Sequence, residues 1–175
     1  MSEHDPLSMI RDIHRDIDRE ANELAAAHAG RLQCGLGCSG CCDDDLTVWR
    51  AEAERILEEF GELLAEAQPH PVGRCAMLDE QTGACRIYSA RPYVCRTQGL
   101  PLRFVDEHPE TGEWVEFRDI CPLNDAAEHA PLEELAACAC WEIGPVEQRL
   151  GHAELRRSGG MERMERVRLR DLFET

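Results

Sequence analysis

Cysteine is the residue type best suited to chemistry in this chain of 175 residues, which contains ten of them. Four stand in the stretch CGLGCSGCC at 34–42, where Cys41 and Cys42 are neighbours. Thiolates are soft ligands that suit zinc, copper(I) and iron–sulfur clusters. The alternative is a disulfide network, because ten is an even number. Eight of the cysteines lie in predicted loops or at the ends of predicted elements: Cys34, Cys38, Cys41, Cys42, Cys75, Cys85, Cys95 and Cys121.

The spacing of these eight cysteines leaves the number of metal centres open. Zinc takes four ligands in a tetrahedron, with sulfur about 2.3 Å from the metal, and a cubane iron–sulfur cluster also takes four thiolates. Two mononuclear sites, one binuclear site, or one cluster with cysteines to spare are all compatible with the pattern. Because the side chains of adjacent residues diverge, we expect Cys41 and Cys42 to serve different metals or different sides of one polynuclear centre.

The chain length and the N-terminal residues favour metal ligation over disulfides. A globular chain of this length buries about 70% of its unfolded surface, so it needs no covalent cross-links. The first twenty residues are charged throughout and lack the apolar region of a signal peptide, and no apolar run approaches the length of a membrane span. We therefore expect a cytoplasmic protein with reduced thiols and no membrane partner.

The charge balance further limits which classes of binding partner are expected. The formal net charge is -16, from 35 acidic and 19 basic residues, and every basic residue is arginine. An acidic surface repels phosphate backbones, so nucleic acid is not an expected partner. The lack of lysine excludes Schiff-base chemistry and the lysine of a phosphate-binding P-loop. Bound metal ions, in contrast, would offset the negative balance, and a metal ion is the predicted partner.

The elements on either side of the cysteine loop are predicted to be helices. Asp5 is a predicted N-cap, Pro6 suits the first turn, and apolar residues follow at helical spacing. Thr47 is predicted to cap a second helix that stops before Pro69. Residues 75–85 are expected to turn back on themselves.

The second half of the chain is predicted to begin with a β-hairpin, because apolar and polar residues alternate around a polar turn at 100–120. Pro131 is expected to open a third helix, which carries Cys138 and Cys140 as core residues rather than ligands. The predicted fold class is mainly α with a small β-hairpin (α+β), with helices around an irregular cysteine-rich metal-binding loop region. We predict one metal-binding domain at 1–157 and a C-terminal tail with a short helix at 158–175.

The cysteine loop, the stretch CAMLDEQTGACRIYSARPYVCR and the CPL at 121–123 together resemble the YkgJ-type cysteine-cluster family, also described as zinc- or iron-chelating CxxCxxCC proteins. The resemblance covers roughly residues 31–124, although the first gap holds three residues rather than the two in the family's name. It implies iron, as an iron–sulfur cluster, or zinc as the cofactor, and it implies no particular reaction. The metal ligands that it implies are Cys34, Cys38, Cys41, Cys42, Cys75, Cys85, Cys95 and Cys121.

Polar residues near the cysteines have two interpretations each. Arg91 and Arg96 are candidates to donate hydrogen bonds to metal-bound sulfurs, or to form ion pairs with the many carboxylates. Tyr88 is predicted to be a packing residue rather than a catalyst. The aspartates at 43–45 suit a hard metal, but a run of aspartates in a loop more often is solvated or caps a helix.

Two further features are predicted to be structural. His14 and His28 lie too far apart on the first helix for a metal pair, and lone histidines of this kind are usually structural. The arginine-rich tail at 161–173 either docks an acidic partner or a membrane surface, or packs on the acidic body of the protein; the second is favoured, because glutamates interrupt it.

Three functions are compatible with these residues. The first is a metal-binding protein that holds iron, as an iron–sulfur centre, for sensing, electron transfer or another redox reaction. The second is a zinc-stabilised module that binds a protein partner without catalysis. The third is a small iron–sulfur enzyme component for redox or methyl-transfer chemistry.

Overall fold

The computed structural model describes residues 5–35, 37–125 and 129–174, and its mainly helical α+β architecture confirms the predicted fold class. The α-helices of the described residues are α1 (Pro6–Ala27), α2 (Arg50–Glu66), α3 (Tyr93–Thr97) and α4 (Pro145–Ser158). The strands are β1 (Thr47–Trp49), β2 (Leu102–Glu107), β3 (Trp114–Asp119), β4 (Trp141–Glu142) and β5 (Arg166–Arg168). Short 3₁₀-helices lie at Tyr88–Ala90, Pro122–Asn124, Leu132–Glu134, Ala137–Ala139, Met161–Arg163 and Leu169–Glu174.

Helix α1 begins as its local sequence predicts. The Asp5 carboxylate accepts a hydrogen bond from the Ser8 amide, and Pro6 occupies the first turn. The isoleucines spaced along the helix, from Ile10 to Ile17, are buried against α2 and α4. Among the described residues, no helix combines the length and apolar character needed to cross a bilayer.

The start of α2 differs from the prediction, since Thr47 does not cap it. Thr47 lies in β1, which pairs antiparallel with β5, and α2 begins three residues later at Arg50. The carboxylate of Glu154 on α4 instead accepts the Ala51 amide at 2.9 Å. A carboxylate distant in sequence therefore accepts an amide at the start of α2, in place of the expected local cap.

Apolar side chains form two clusters that share α2. The first cluster joins α2, the turn at 75–87 and the C-terminal tail, and includes Ile56, Met77 and Leu172. The second lies among α1, α3 and α4. The cysteine-rich segments border the first cluster, because Cys75 belongs to it and Cys42 and Cys85 pack against it.

The predicted hairpin is confirmed. Strands β2 and β3 pair antiparallel in a register that sets Phe104 opposite Phe117, and these rings stack with centroids 5.5 Å apart. Strand β4 adds to the other edge of β2 in parallel.

The predicted third helix is wrong. The segment after Pro131 forms two separate 3₁₀-helices and then enters β4, so Cys138 and Cys140 do not share a helix. The guanidinium of Arg118 donates to the carbonyls of Leu132 and Leu135. The Leu132 carbonyl also accepts the Leu135 amide at 3.3 Å, which is the i→i+3 hydrogen bond of a 3₁₀-turn. The guanidinium therefore binds in addition to the local hydrogen bond.

The C-terminal tail forms β5 and 3₁₀-helices rather than the predicted amphipathic α-helix. Val167, Leu169 and Leu172 of the tail are buried in the first cluster. Arg170 pairs with Asp44 and donates to the carbonyl of His70 at 2.8 Å. This packing agrees with the favoured interpretation of the tail arginines. The domain boundary after residue 157 stays a prediction.

A buried polar network connects α1, α2 and α3 beneath the cysteine region. His14 is 1% exposed, and its Nε2 lies 3.0 Å from a carboxylate oxygen of Glu52, which also accepts the Tyr93 amide at 2.8 Å. Arg55 bonds to the other ring nitrogen, Nδ1. Because a guanidinium can only donate, this contact requires Nδ1 to be unprotonated, and the imidazole is therefore neutral. The predicted structural role of His14 follows from these contacts.

Acidification is expected to destabilise the protein through His14. Burial lowers the pKa of His14 below its usual 6.5; the contact with Glu52 opposes this effect, and the charges of Arg96 and Arg55 add to it. Below pH 6.5, His14 then binds a proton in the unfolded chain but stays unprotonated in the folded chain. The free energy of unfolding therefore falls as pH falls. We expect an additional loss of up to about 1.4 kcal/mol per pH unit in the wild type relative to His14→Gln. Urea unfolding of both proteins at pH 7.5 to 5.0 measures this loss. If the free energy of unfolding falls with pH equally in the two proteins, the assignment to His14 is wrong.

Candidate metal centre

Three separated stretches of the chain bring their cysteines to one cleft, and a fourth stretch places Cys121 near it. The loop at 34–42 follows α1, the turn at 75–85 follows α2, and Cys95 lies in α3. Cys121 precedes the 3₁₀-helix Pro122–Asn124. The cleft has a volume of about 410 Å³, and seven of the eight predicted ligands line it: Cys34, Cys38, Cys41, Cys42, Cys75, Cys85 and Cys95.

All ten cysteines carry free thiols, so the disulfide alternative has no support in the structure. Cys138 is exposed and Cys140 is buried, and neither contributes to the wall of the cleft. The prediction that both are core residues therefore holds for Cys140 and is wrong for Cys138; that neither is a metal ligand stays a prediction.

Two tight turns shape the cysteine loop. The Cys38 amide donates to the Gly35 carbonyl at 3.0 Å, and the Cys42 amide donates to the Ser39 carbonyl at 3.1 Å. The Cys75 amide then donates to the Cys42 carbonyl at 3.0 Å, which fixes the end of the loop against the next cysteine segment. The loop therefore presents its sulfurs from a backbone held at both turns.

The tip of the loop rests on the tip of the 75–85 turn. Gly37 and Gly83 both have positive φ, at 86° and 66°, which glycine adopts without strain. A Cβ at Gly83 would lie 3.8 Å from the Gly37 carbonyl oxygen. The close approach of two backbones thus brings the two cysteine segments together at the rim of the cleft.

Four thiols lie on the inner side of the cleft. Cys75 is 8% exposed, and Cys42, Cys85 and Cys95 are partly buried. Burial, with the neighbouring thiols of Cys41, Cys75 and Cys85, raises the pKa of Cys42 to about 12. Burial also raises the pKa of Cys95, with further contributions from Cys75, Cys85 and Cys42. These thiols are neutral at physiological pH without a metal, so metal binding must displace their protons.

The remaining thiols are nearer to solvent. Cys34, Cys38 and Cys41 are exposed, and Cys121 is partly buried. Burial raises the pKa of Cys41, and the charges of Cys38, Cys121 and Cys34 raise it further. Cys121 therefore lies within electrostatic reach of the loop, although it is not part of the cleft wall.

Arg91 and Arg96, for which the sequence allowed two roles each, have different positions. Arg91 lines the cleft and stacks over the Tyr88 ring at 4.1 Å. Its buried Nε has no hydrogen-bond partner among the residues that the structure describes. Its charge lowers the pKa values of Cys85 and Cys95, against the larger effect of burial. Arg96 instead pairs with Asp18 at 2.6 Å. Arg91 is thus the arginine placed to offset negative charge on the sulfurs.

Several other candidate residues have structural partners. Tyr88, predicted to pack, is 62% exposed at the rim of the cleft and contacts Arg91. Asp44 accepts the Gly73 amide at 2.9 Å and pairs with Arg170, which accounts for the central residue of the aspartate run. His28 bonds to the Ala139 carbonyl at 2.7 Å, as expected of a structural histidine.

Asn124 is a functional candidate that sequence reasoning missed. It is 1% exposed; its side-chain oxygen accepts the Gln33 amide at 2.8 Å, and its nitrogen donates to the Gly99 carbonyl at 2.8 Å and to the Cys34 sulfur at 3.5 Å. Hydrogen bonds of this kind orient metal ligands and stabilise thiolates. Its position three residues after Cys121 was the only local signal, and an asparagine at that spacing indicates nothing by itself.

Replacing Asn124 by alanine should weaken metal binding and the fold together. The change leaves the buried Gly99 carbonyl without its donor, at a cost of about 1–3 kcal/mol in the free energy of unfolding. It also removes the donor to Cys34, which should lower metal affinity about 10–100-fold. Competition with a chromophoric chelator measures the affinity. Asn22→Ala, an exposed position on α1, is the control, and equal affinity in the two variants would contradict the assigned contact.

Within the described ranges, no three histidine, cysteine, aspartate or glutamate side chains already stand close enough together to hold an ion. The thiols share a cleft rather than a preformed coordination shell, so their final approach to a metal must accompany binding. Such coupling between metal binding and local structure is common where the ligands are cysteines.

The fold and the cleft define a small α+β protein whose clustered free cysteines come from separate segments, that is, a cysteine-cluster protein. The chain belongs to the family described as "CxxCxxCC: Putative zinc- or iron-chelating domain", whose model matches residues 33–122. This range contains all eight predicted ligands, and it confirms the resemblance drawn from the sequence. No curated protein matches the chain, and no solved structure matches it either.

Proposed function

We propose that this protein is a cytoplasmic metal-binding protein that holds iron, as an iron–sulfur centre, through the cysteines of the cleft. The observation that carries the proposal is the convergence of seven free thiols, from three stretches of the chain, on one cavity. Soft thiolate donors without a histidine among them suit iron–sulfur clusters and zinc.

Two properties of the cleft support iron–sulfur over a single zinc ion. Its volume of about 410 Å³ exceeds the space within a zinc tetrahedron, where sulfur lies about 2.3 Å from the metal. The guanidinium of Arg91 at the wall supplies positive charge to offset thiolates and cluster sulfides. When bound, such a centre supplies one-electron chemistry or redox sensing; the chain's own residues hold, shield and electrostatically tune it.

Anaerobic purification followed by elemental analysis and a visible spectrum tests this function. We expect brown protein that contains iron and sulfide and bleaches in air. Colourless protein with stoichiometric zinc would overturn the iron assignment and support a zinc-stabilised module that binds a protein partner. Material that takes up neither metal would overturn metal binding itself.

Substitution of single cysteines tests which thiols are ligands. Cys41→Ser and Cys95→Ser are each expected to lower both metal content and melting temperature, because each removes a sulfur from the cleft wall. Cys138→Ser is the matched control, since Cys138 is exposed and lies outside that wall. Unchanged metal content in both cleft variants would count against the assignment.

A further inference from the structure

The eight candidate ligands divide into two sets of four by their contacts with the apolar core and with one another. Three members of the inner set contact the first apolar cluster, and three members of the outer set are exposed; Cys95 and Cys121, the fourth members, are partly buried. The inner set is Cys42, Cys75, Cys85 and Cys95. The outer set is Cys34, Cys38, Cys41 and Cys121.

The inner set is held together by the core. Cys75 is part of the first apolar cluster, and Cys42 and Cys85 pack against that cluster. The Cys75 amide donates to the Cys42 carbonyl at 3.0 Å, and Cys85 forms a β-bridge with Leu78. Cys95 lies within electrostatic reach of the other three. Main-chain contacts and apolar packing therefore hold this set on the core side of the cleft.

The outer set is held together by Asn124. Its side chain, three residues beyond Cys121, accepts the Gln33 amide and donates to the Cys34 sulfur, so it joins the Cys121 segment to the start of the cysteine loop. The loop turn between the Gly35 carbonyl and the Cys38 amide continues the set. Cys41 lies within electrostatic reach of Cys38, Cys121 and Cys34.

The division falls between two adjacent residues. Cys41 is exposed and Cys42 is partly buried, although their two thiols remain close enough to interact. Besides its neighbour Cys41, the thiols close to Cys42 are Cys75 and Cys85, both of the inner set. The vicinal pair is thus the point at which one chain segment contributes to both sets.

We propose that the cleft, together with the adjoining Cys121, holds two separate four-thiolate metal centres, one inner and one outer, with Cys42 and Cys41 contributing to one each. This inference rests on the proposed metal-binding function and specifies how many centres it has and which thiols form them. Four thiolates complete the coordination of a tetrahedral ion or of a cubane cluster. The inner centre is shielded by the core and stabilises the fold; the outer centre is open to solvent and exchanges its metal.

The test is a cobalt(II) titration of the reduced chain under anaerobic conditions, followed by the thiolate-to-cobalt charge-transfer absorption. We expect the wild type to bind two ions, and Cys41→Ser and Cys42→Ser to bind one tightly each. These variants are matched, because they make the same change at adjacent positions. The Cys42 variant should lose more thermal stability, since Cys42 packs against the core and Cys41 does not.

A second measurement is made on the wild type, so its result does not depend on whether the cysteine variants fold. Release of bound cobalt to an excess of chelator should occur in two phases of equal amplitude, with the outer ion leaving first and Asn124→Ala accelerating only that phase. A single phase, or loss of all tightly bound cobalt in both cysteine variants, would overturn the two-centre arrangement while leaving metal binding intact. A wild type that binds no cobalt would overturn the proposed function together with this inference.

Discussion

Replacing Gly99 by alanine is expected to reduce metal binding and destabilise the fold more than any other single methyl group added to the glycines near the cleft. Gly99 has a φ of 91°, and a Cβ there would lie 2.4 Å from the Cys34 sulfur and 3.2 Å from the Asn124 side-chain nitrogen. The backbone conformation alone costs an L-residue about 1–2 kcal/mol. The collision adds to this cost, because it forces Cys34 away from Asn124.

The measurement is metal content per chain together with urea unfolding. We expect Gly99→Ala to lose the metal that Cys34 helps to hold and to unfold at clearly lower urea concentration. Gly40→Ala is the matched control, since it adds the same methyl group inside the cysteine loop, where nothing lies within 4 Å of the new Cβ. If both variants keep the wild-type metal content, the placement of Cys34 against Gly99 is wrong.

Replacing Glu154 by alanine should give the largest loss of stability in the chain. The carboxylate is fully buried, and it accepts the amides of Ala51 and Glu165 at 2.9 and 3.0 Å and two N–H groups of Arg157. Although burial raises its pKa, these donors outweigh burial and hold the pKa below the usual value. Removing one partner of such a buried charge pair costs about 3–5 kcal/mol.

The effect should extend to the cleft, because Glu154 anchors the start of α2 and the tail, and Leu169 of that tail lines the cleft. Urea unfolding measures the stability, and Glu154→Gln should lose less, since it keeps an acceptor of the same shape. Glu54→Ala removes a more exposed partner of the same arginine and should cost less than about 1 kcal/mol. Equal losses in the Glu54 and Glu154 variants would show that the buried network is not the anchor.

Local signals predicted the elements whose stabilising partners are close in sequence. Helix α1 has its cap, its proline and its apolar spacing within the helix itself, and the hairpin of β2 and β3 has alternating residues around a polar turn. The elements that were predicted wrongly depend on distant partners. Thr47 lies in a strand because β5 pairs with it, and the segment after Pro131 forms 3₁₀-helices whose carbonyls bind Arg118.

The amino-acid sequence by itself determined which residues are candidate ligands, because a thiol's affinity for soft metals belongs to its residue type and all eight lie within the range that the family model matches. Only the tertiary structure decided that Arg91 rather than Arg96 faces the sulfurs, that Asn124 contacts Cys34, and that Cys41 and Cys42 belong to differently buried sets. Asn124 and Cys34 are ninety positions apart. Contacts over such separations depend on how helices and turns pack against one another, and this packing cannot be predicted from the spacing of residues along the chain.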